Sequence, residues 1–340
     1  MDTEILPLSE VAKSEIKNFL RSHGQQDPMI EWKYFDFRFN GNHERGYVAV
    51  RDGRVCGFLG MIPFDLGYES STFKAAWTCD WYVDNPASNG VLGLRILKRA
   101  ITSNAHLMHM GGNNISQGIL ARVAQQTVPD AGIVFHLNLR LGNLFKRAGR
   151  RFGLKPLHWG PIEQIPLGRL PQGSAEDSVM TESGIPDAIM PILEAAGPGK
   201  CYPKYDLDYI DWQIGRCPNL SSFTCYVSGA STPQSAAIFW RPADSTDFWR
   251  MVLFTGGEDK SEIASLLATG IRQVYDQKGM AIRTLVSRLD TELIGILEAN
   301  GFFQHRRLPF HVLSNETADA PLDAMSGLSY LDGDHAYIFE

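Results

Sequence analysis

Apolar positions along this chain follow two periods in turn, and their order predicts an α/β protein. Ala12, Ile16, Phe19 and Leu20 share one face of a first helix, with Ser9 as its N-cap and Gly24 closing it. An aromatic cluster, Glu31-Trp32-Lys33-Tyr34-Phe35, follows Pro28. Residues 47–51 and 54–58 flank Asp52-Gly53, a dipeptide that tolerates the two positive φ angles of a type I′ hairpin. A further strand over 73–84 ends at Asn85-Pro86. Ser88-Asn89-Gly90-Val91-Leu92-Gly93 then opens a helix with Val91, Leu94, Leu97 and Ile101 inward and Arg95, Lys98 and Arg99 outward. A strand over 107–110 runs into Gly111-Gly112-Asn113-Asn114, followed by a helix over 115–125 and a strand over 132–139.

Residues from 150 to 200 are rich in Pro and Gly and read as a connector, with a short helix over 185–196. The order of elements then returns. Asp211-Trp212 echoes Glu31-Trp32, and strands over 223–227, 235–241 and 248–254 follow. A helix over 261–276 turns Ile263, Leu266, Leu267, Ile271 and Val274 inward. A strand over 281–287, a helix over 291–299 and a strand over 308–313 complete the series. Trp32 and Trp212 are 180 residues apart, Gly118-Ile119-Leu120 and Gly295-Ile296-Leu297 are 177 apart, and Phe135-His136 and Phe310-His311 are 175 apart. The shared offset predicts a doubled unit: a first domain over 1–150, a connector over 151–200 and a second domain over 201–340.

A chain of 340 residues, 44% apolar and 21% charged, has material for two cores. The net charge of −6 argues against the basic face of a general nucleic-acid binder. The opening MDTEILPLSE lacks the layout of a signal peptide, and no apolar run approaches the roughly 18 residues of a membrane span. These features predict a cytoplasmic protein with neither a membrane nor a nucleic-acid partner. Five cysteines, with no Cys-x-x-Cys pair, read as small buried hydrophobes rather than a metal site.

The stretch from 47 to 125 carries a hairpin, a strand ending in Asp80-Trp81-Tyr82-Val83-Asp84, a glycine-containing turn into a helix, and a strand running to Asn113. In this it resembles the Gcn5-related N-acetyltransferase family. The Glu31–Tyr34 cluster, the paired units and the tail Tyr330-Leu331-Asp332-Gly333-Asp334 are similar to bacterial tandem-acetyltransferase proteins. Some of those are encoded with exopolysaccharide biosynthesis genes, and they share features with Fem-type aminoacyl transferases. The resemblance implies an α/β mixed-sheet fold of two tandem acyl-CoA N-acyltransferase domains, the second degenerate. It implies acetyl-CoA or another acyl-CoA as cosubstrate, and no metal.

The chemistry of the turn has its own basis, because a helix N-terminus offers unpaired N–H groups and a positive dipole end to a pyrophosphate. In the family the turn follows Arg/Gln-x-x-Gly-x-Gly/Ala. With Gly93 at the last position, Ser88 takes the basic or amide position and Val91 the first glycine, so the signature is weakened. Gly90 and Asn89 offer partial compensation. The candidate cofactor-binding set is Trp81, Tyr82 and Val83 on the strand, Ser88 through Leu94 (with Leu92 among them), and Asn113. The plain alternative is a strand-to-helix connection capped by Ser88 or Asn89.

The same resemblance implies that strand 80–84 splays from its neighbour, pairs with the pantetheine arm and stabilises the oxyanion through backbone N–H groups. Strand alternation puts Asp80, Tyr82 and Asp84 on one face and Trp81 and Val83 on the other. Asp80 is a candidate to take the proton of the attacking ammonium; a carboxylate there equally suits a substrate cation or a solvated strand end. Tyr34 and Tyr82 are candidates to protonate the leaving thiolate, although the tyrosine that the family often places after the asparagine is absent from 113–125. His109 reads either as a base or as hydrogen-bonded structure. The second unit has Thr255-Gly256-Gly257-Glu258-Asp259-Lys260 at the corresponding turn, where the acids repel phosphate, and reads as a scaffold or one wall of the acceptor site. Trp240, Phe248 and Trp249 read as core, with sugar stacking the alternative. Lys146, Arg147, Arg150 and Arg151 read as a solvated surface, or as a contact for the 3′-phosphate of coenzyme A. The function expected is direct transfer of an acyl group, acetyl in the first instance, to the amine of a small acceptor such as an amino sugar. A non-catalytic tandem binding protein and a Fem-like aminoacyl transferase are the alternatives.

Overall fold

The computed structural model describes residues 3–36, 43–84, 86–151, 166–167, 170–171, 178–181, 189–194, 200–228, 235–242, 247–256, 259–316, 322 and 325–332. Strand β1 (Glu4–Pro7) precedes a 3-10 turn at Leu8–Glu10 and helix α1 (Lys13–Ser22). Ile16, Phe19 and Leu20 are buried, as the helical period predicts. Ser9 is not the cap: Ala12 holds that position, and Ser9 Oγ donates instead to Glu44 Oε2 at 2.6 Å. The 3-10 turn moves the helix start downstream because it buries Leu8. The aromatic cluster folds as helix α2 (Asp27–Tyr34), with Pro28 in its first turn, where no N–H is needed.

Strands β2 (Gly46–Arg51) and β3 (Arg54–Tyr68) form the expected hairpin, with φ of 52° at Asp52 and 74° at Gly53. Then come β4 (Ser71–Val83), α3 (Pro86–Ser103), β5 (His106–Met110), α4 (Asn114–Val123), β6 (Gln126–Asn138) and α5 (Leu141–Arg151). The proposed connector lies largely outside the described residues, but β7 (Ser178–Thr181) and α6 (Met190–Glu194) fall within it. Strand β8 (Cys201–Lys204) is followed by α7 (Leu207–Ile210), which passes into a π-helical turn at Asp211–Gly215. The remaining elements are β9 (Leu220–Ser228), β10 (Ser235–Pro242), β11 (Phe248–Gly256), α8 (Lys260–Asp276), β12 (Ala281–Ser287), α9 (Thr291–Ala299) and β13 (Phe303–Asn315).

Among the described residues the strands form one 13-stranded mixed sheet, in the order β1-β2-β3-β4-β5-β13-β6-β12-β11-β10-β9-β7, with β8 on β3. β4–β5 and β11–β12 are parallel pairs. At the centre the chain crosses over: β6 pairs with β12, β13 pairs with β5, and β6 and β13 pair with each other. Each half of the sheet is therefore completed by a strand from the other half of the sequence.

Helices α3 and α4 cover one face around Ala76, Leu107 and Leu313, and α8 and α9 cover the same sheet around Phe135, Trp249 and Ile282. The opposite face, with Trp77, Met108, Val252, Leu285 and Phe310, packs against α1, α2, α7 and the residues around Leu331. The inward face of α3 differs from the expected one. Leu92, Ile96, Leu97 and Ala100 are buried, whereas Val91 is 71% exposed and Leu94 39% exposed. Trp240 and Trp249 are core, and Phe248 is half-buried. The five cysteines are free; four are buried and Cys56 is half-buried. Among the described residues no helix is long and apolar enough to cross a membrane, and no cluster of His, Cys, Asp or Glu is placed to hold a metal ion.

Candidate functional site

Strands β4 and β5 pair only at Ala76–Leu107 and Trp77–Met108. Beyond that point β4 continues to Val83 along β3, while β5 ends and the chain turns through Gly111 and Gly112 at φ of 76° and 91°. The two strands open into a V. A cavity of about 610 Å³ fills it, with Thr78–Tyr82 on one wall and His109–Asn114 on the other.

Within β4 the register with β3 shifts between Phe58 and Gly60, so that β4 carries one extra residue, and Asp80 sits at φ 45°. Such a bulge bends a strand and re-aims its side chains, and Asp tolerates the left-handed region better than most residues. Here it brings Asp80 round to the α1–α2 side, next to Cys79 and Tyr34. Trp81 and Val83 face the other way, onto α3. A Cβ at Gly93 would lie 3.3 Å from the Trp81 ring and 3.4 Å from Val83, so Gly93 permits the close approach of helix and strand.

The Asp80 carboxylate accepts from four donors. Lys33 Nζ at 2.8 Å and Tyr34 Oη at 2.6 Å meet Oδ2, and Gln25 Nε2 at 3.2 Å and Tyr82 Oη at 3.3 Å meet Oδ1. Four contacts fill the lone-pair positions of a carboxylate. Gln25 Nε2 also donates to Tyr82 Oη at 2.9 Å. Burial, followed by the charge of Asp80, pushes the Tyr82 phenol up to about 12, so it holds its proton at neutral pH. Tyr34 is wholly buried, and burial likewise drives its phenol well above the ordinary range.

No family model matches the chain, and no curated protein matches it by sequence. Solved structures do. Saccharomyces cerevisiae N-myristoyltransferase with bound myristoyl-CoA superposes with a TM-score of 0.59 at 10% identity, over 96% of this chain and 84% of that one. A GCN5-related N-acetyltransferase from Anabaena variabilis gives 0.55 at 10% identity, over 92% and 73%. An Enterococcus faecalis protein of unknown function, described as a probable N-acyltransferase, gives 0.56 at 10% identity over the same shares. The chain has the N-acyltransferase fold.

In this N-acyltransferase fold the expected site residues fall at several distances from the cavity. Asp80, Trp81, Tyr82, His109 and Asn113 line it, and Tyr34 stands behind Asp80, outside the lining. Ser88 to Gly93 do not form a turn before a helix. They lie inside α3, which begins at Pro86, because proline suits a first helical position and its fixed φ starts the helix early. Asn113 caps α4, its Oδ1 accepting from the N–H groups of Ile115 and Ser116 at 3.0 and 2.9 Å. His109 Nδ1 lies 2.8 Å from Thr78 Oγ1, which itself donates to the Met108 carbonyl at 3.3 Å. At helix α8, Asp259 accepts from the Ser261 and Glu262 N–H groups, so the chain's own carboxylate occupies that helix N-terminus. Lys146, Arg147, Arg150 and Arg151 fall on α5, but their side chains lie outside the description.

The far wall of the cavity lies outside the residues expected from the sequence. Arg250 on β11, Arg283 on β12, His305 and Arg306 on β13, and Tyr330 all line it. These residues come to Asp80 across 170 or more positions of chain through the central strand crossover. The one local signal was a charge inside an apolar strand, as in Trp249-Arg250-Met251.

Proposed function

We propose that the protein is an N-acyltransferase that moves an acyl group from acyl-CoA to the amine of a small acceptor. The observation that carries this is the V between β4 and β5. It leaves the β4 backbone from Thr78 to Tyr82 facing a cavity where a parallel partner strand would otherwise continue. An extended pantetheine arm suits that edge, since it can exchange the strand-type hydrogen bonds that β5 does not make. Acyl-CoA would supply the activated thioester; acetyl is the simplest acyl group.

The roles of the residues follow from their places. Backbone N–H groups of the bulged stretch of β4 donate to the carbonyl oxygen as charge develops on it. The first turn of α3, with Ser88 and Asn89, offers N–H groups to phosphate oxygens, while Trp81, Val83 and Gly93 hold that helix against the strand. His109, its ring fixed by Thr78, takes the proton of the attacking ammonium. Asp80, with its lone pairs occupied, holds Tyr82 in place. Tyr82, protonated at neutral pH, gives its proton to the departing thiolate and regains one from the attacking nitrogen, which loses its second proton as the amide forms. An amino sugar is the acceptor that we propose, and the two halves of the sheet are proposed as tandem copies. The matching places of β4 and β11, of β5 and β12, and of β6 and β13 in the sheet support that doubling.

Release of free thiol from acetyl-CoA in the presence of a panel of amines tests the activity. Amine-dependent release is expected. An enzyme that releases no thiol with any amine of the panel, although correctly folded, contradicts the reading.

A further inference from the structure

Arg250 is 8% exposed, so its guanidinium is largely withdrawn from water, and it lines the same cavity as Arg283, Arg306 and His305. Among the described lining residues the only carboxylate is Asp80, which is ion-paired with Lys33 at 2.8 Å. Arg250 and Arg283 are also direct register partners on the parallel strands β11 and β12. Register partners project to the same face of a sheet, so the two side chains reach the cavity from neighbouring strands.

Both guanidinium groups are held in fixed orientations. Arg250 lies over the rings of Trp240 and Tyr330, with Cζ 5.5 and 5.7 Å from the two centroids. Arg283 lies over Phe248 at 5.7 Å, and its Nε donates to His136 Nδ1 at 3.3 Å. A planar guanidinium oriented in this way presents a donor fork that matches a carboxylate or a phosphate. Trp240 and Tyr330 belong to the core on the α1–α2 face, whereas α3 packs on the opposite face. Arg250, and Arg283 in register beside it, therefore stand on the side of the sheet away from the helix start that would meet the phosphates of coenzyme A.

From this we infer that Arg250, Arg283 and Arg306 form an anion subsite for the acceptor, so that the accepted amine belongs to a molecule bearing a carboxylate or a phosphate group. The inference rests on the acyltransferase reading for the word acceptor, but the anion subsite is testable without turnover.

The experiment is calorimetric titration of the protein with two matched pairs: glucosamine 6-phosphate against glucosamine, and alanine against alaninamide. Each pair is titrated with and without acetyl-CoA. The phosphate or the carboxylate member should bind roughly tenfold or more tightly than its neutral partner. Whichever pair shows the difference identifies the anionic group. Arg283→Gln and the half-exposed Arg306→Gln should both abolish that preference while leaving acetyl-CoA affinity unchanged. Equal affinity for charged and neutral members, or no binding of either anion, overturns the subsite. A parallel loss of acetyl-CoA affinity in both variants also overturns it, assigning the arginines to the cosubstrate. Anion binding without any acetyl-CoA binding supports the subsite and contradicts the acyltransferase reading instead.

Discussion

Trp32 and Trp212 stack at 4.5 Å between ring centroids with 15° between planes, and each indole N–H donates to the backbone carbonyl of the other, at 2.8 and 3.1 Å. The two residues are 180 positions apart in sequence. Their reciprocal contact joins α2 to the π-helical turn after α7, and Arg45 lies over the Trp212 ring at 5.1 Å while donating to the Lys33 carbonyl.

This pair should couple the two halves of the chain in unfolding. Trp212→Phe keeps a ring but removes the N–H that donates to the Trp32 carbonyl, and should cost about 1–3 kcal/mol. Trp212→Ala should cost about 3–5 kcal/mol. In urea denaturation followed by fluorescence and circular dichroism, the Trp32→Phe/Trp212→Phe double variant should lose less than the sum of the singles. Additive losses would show that the two contacts are independent.

The floor of the site depends on the Lys33–Asp80 pair, whose side chains are 5% and 7% exposed. Asp80→Ala leaves the ammonium buried without its carboxylate and should cost about 3–5 kcal/mol. Gly60→Ala is a milder probe. Its Cβ would lie 2.9 Å from Tyr34 Cζ and would push the phenol away from Asp80. A loss of about 1–3 kcal/mol is expected from such overpacking, read from denaturant midpoints.

Much of the fold was legible in local pattern, and the rest shows where local pattern stops. Asp52-Gly53 gave its hairpin because the turn needs only its own two residues. The bulge brought Asp80 and Tyr82 to one side, as alternation predicts. The buried face of α3 differs from the expected one because leucines at 92, 94 and 97 satisfy more than one helical stripe, and only the packing of Gly93 on Trp81 chooses between them. The crossover of β6 and β13 lay beyond reach, since both strands begin with polar stretches that alternate too weakly to announce them. The arginines of the cavity wall were hidden for the same reason, because only that crossover places them opposite His109.

Asp332 predicts a pH dependence of stability. It accepts from Tyr205 Oη and Ser329 N–H, both at 2.7 Å, yet burial prevails and pushes its carboxyl up to about 7 from an ordinary 3.8. A folded value above the unfolded one means that the folded state binds the proton more tightly. This contribution is fully present below 3.8 and is lost as pH rises to about 7, at up to roughly 1.4 kcal/mol per pH unit. Urea midpoints across that range should fall more steeply for the wild type than for Asp332→Asn. Parallel profiles would contradict the assignment.

His109 carries the proposed proton transfer. His109→Gln should lower kcat by roughly 10²–10⁴-fold, with little change in acetyl-CoA affinity. Its neighbour Thr78 is a positioning residue. Thr78→Val should shift the pH profile of kcat, and Thr78→Ser should restore it. A His109→Gln enzyme with wild-type kcat would move the proton to another group.

The most direct measurement is isothermal titration of acetyl-CoA into the full chain. Binding at one site per chain is the result that the opened β4–β5 edge predicts, with affinity unchanged when free amine is absent. No heat of binding at about 1 mM ligand, a level at which even a weak site near −4 kcal/mol is half filled, would contradict the account.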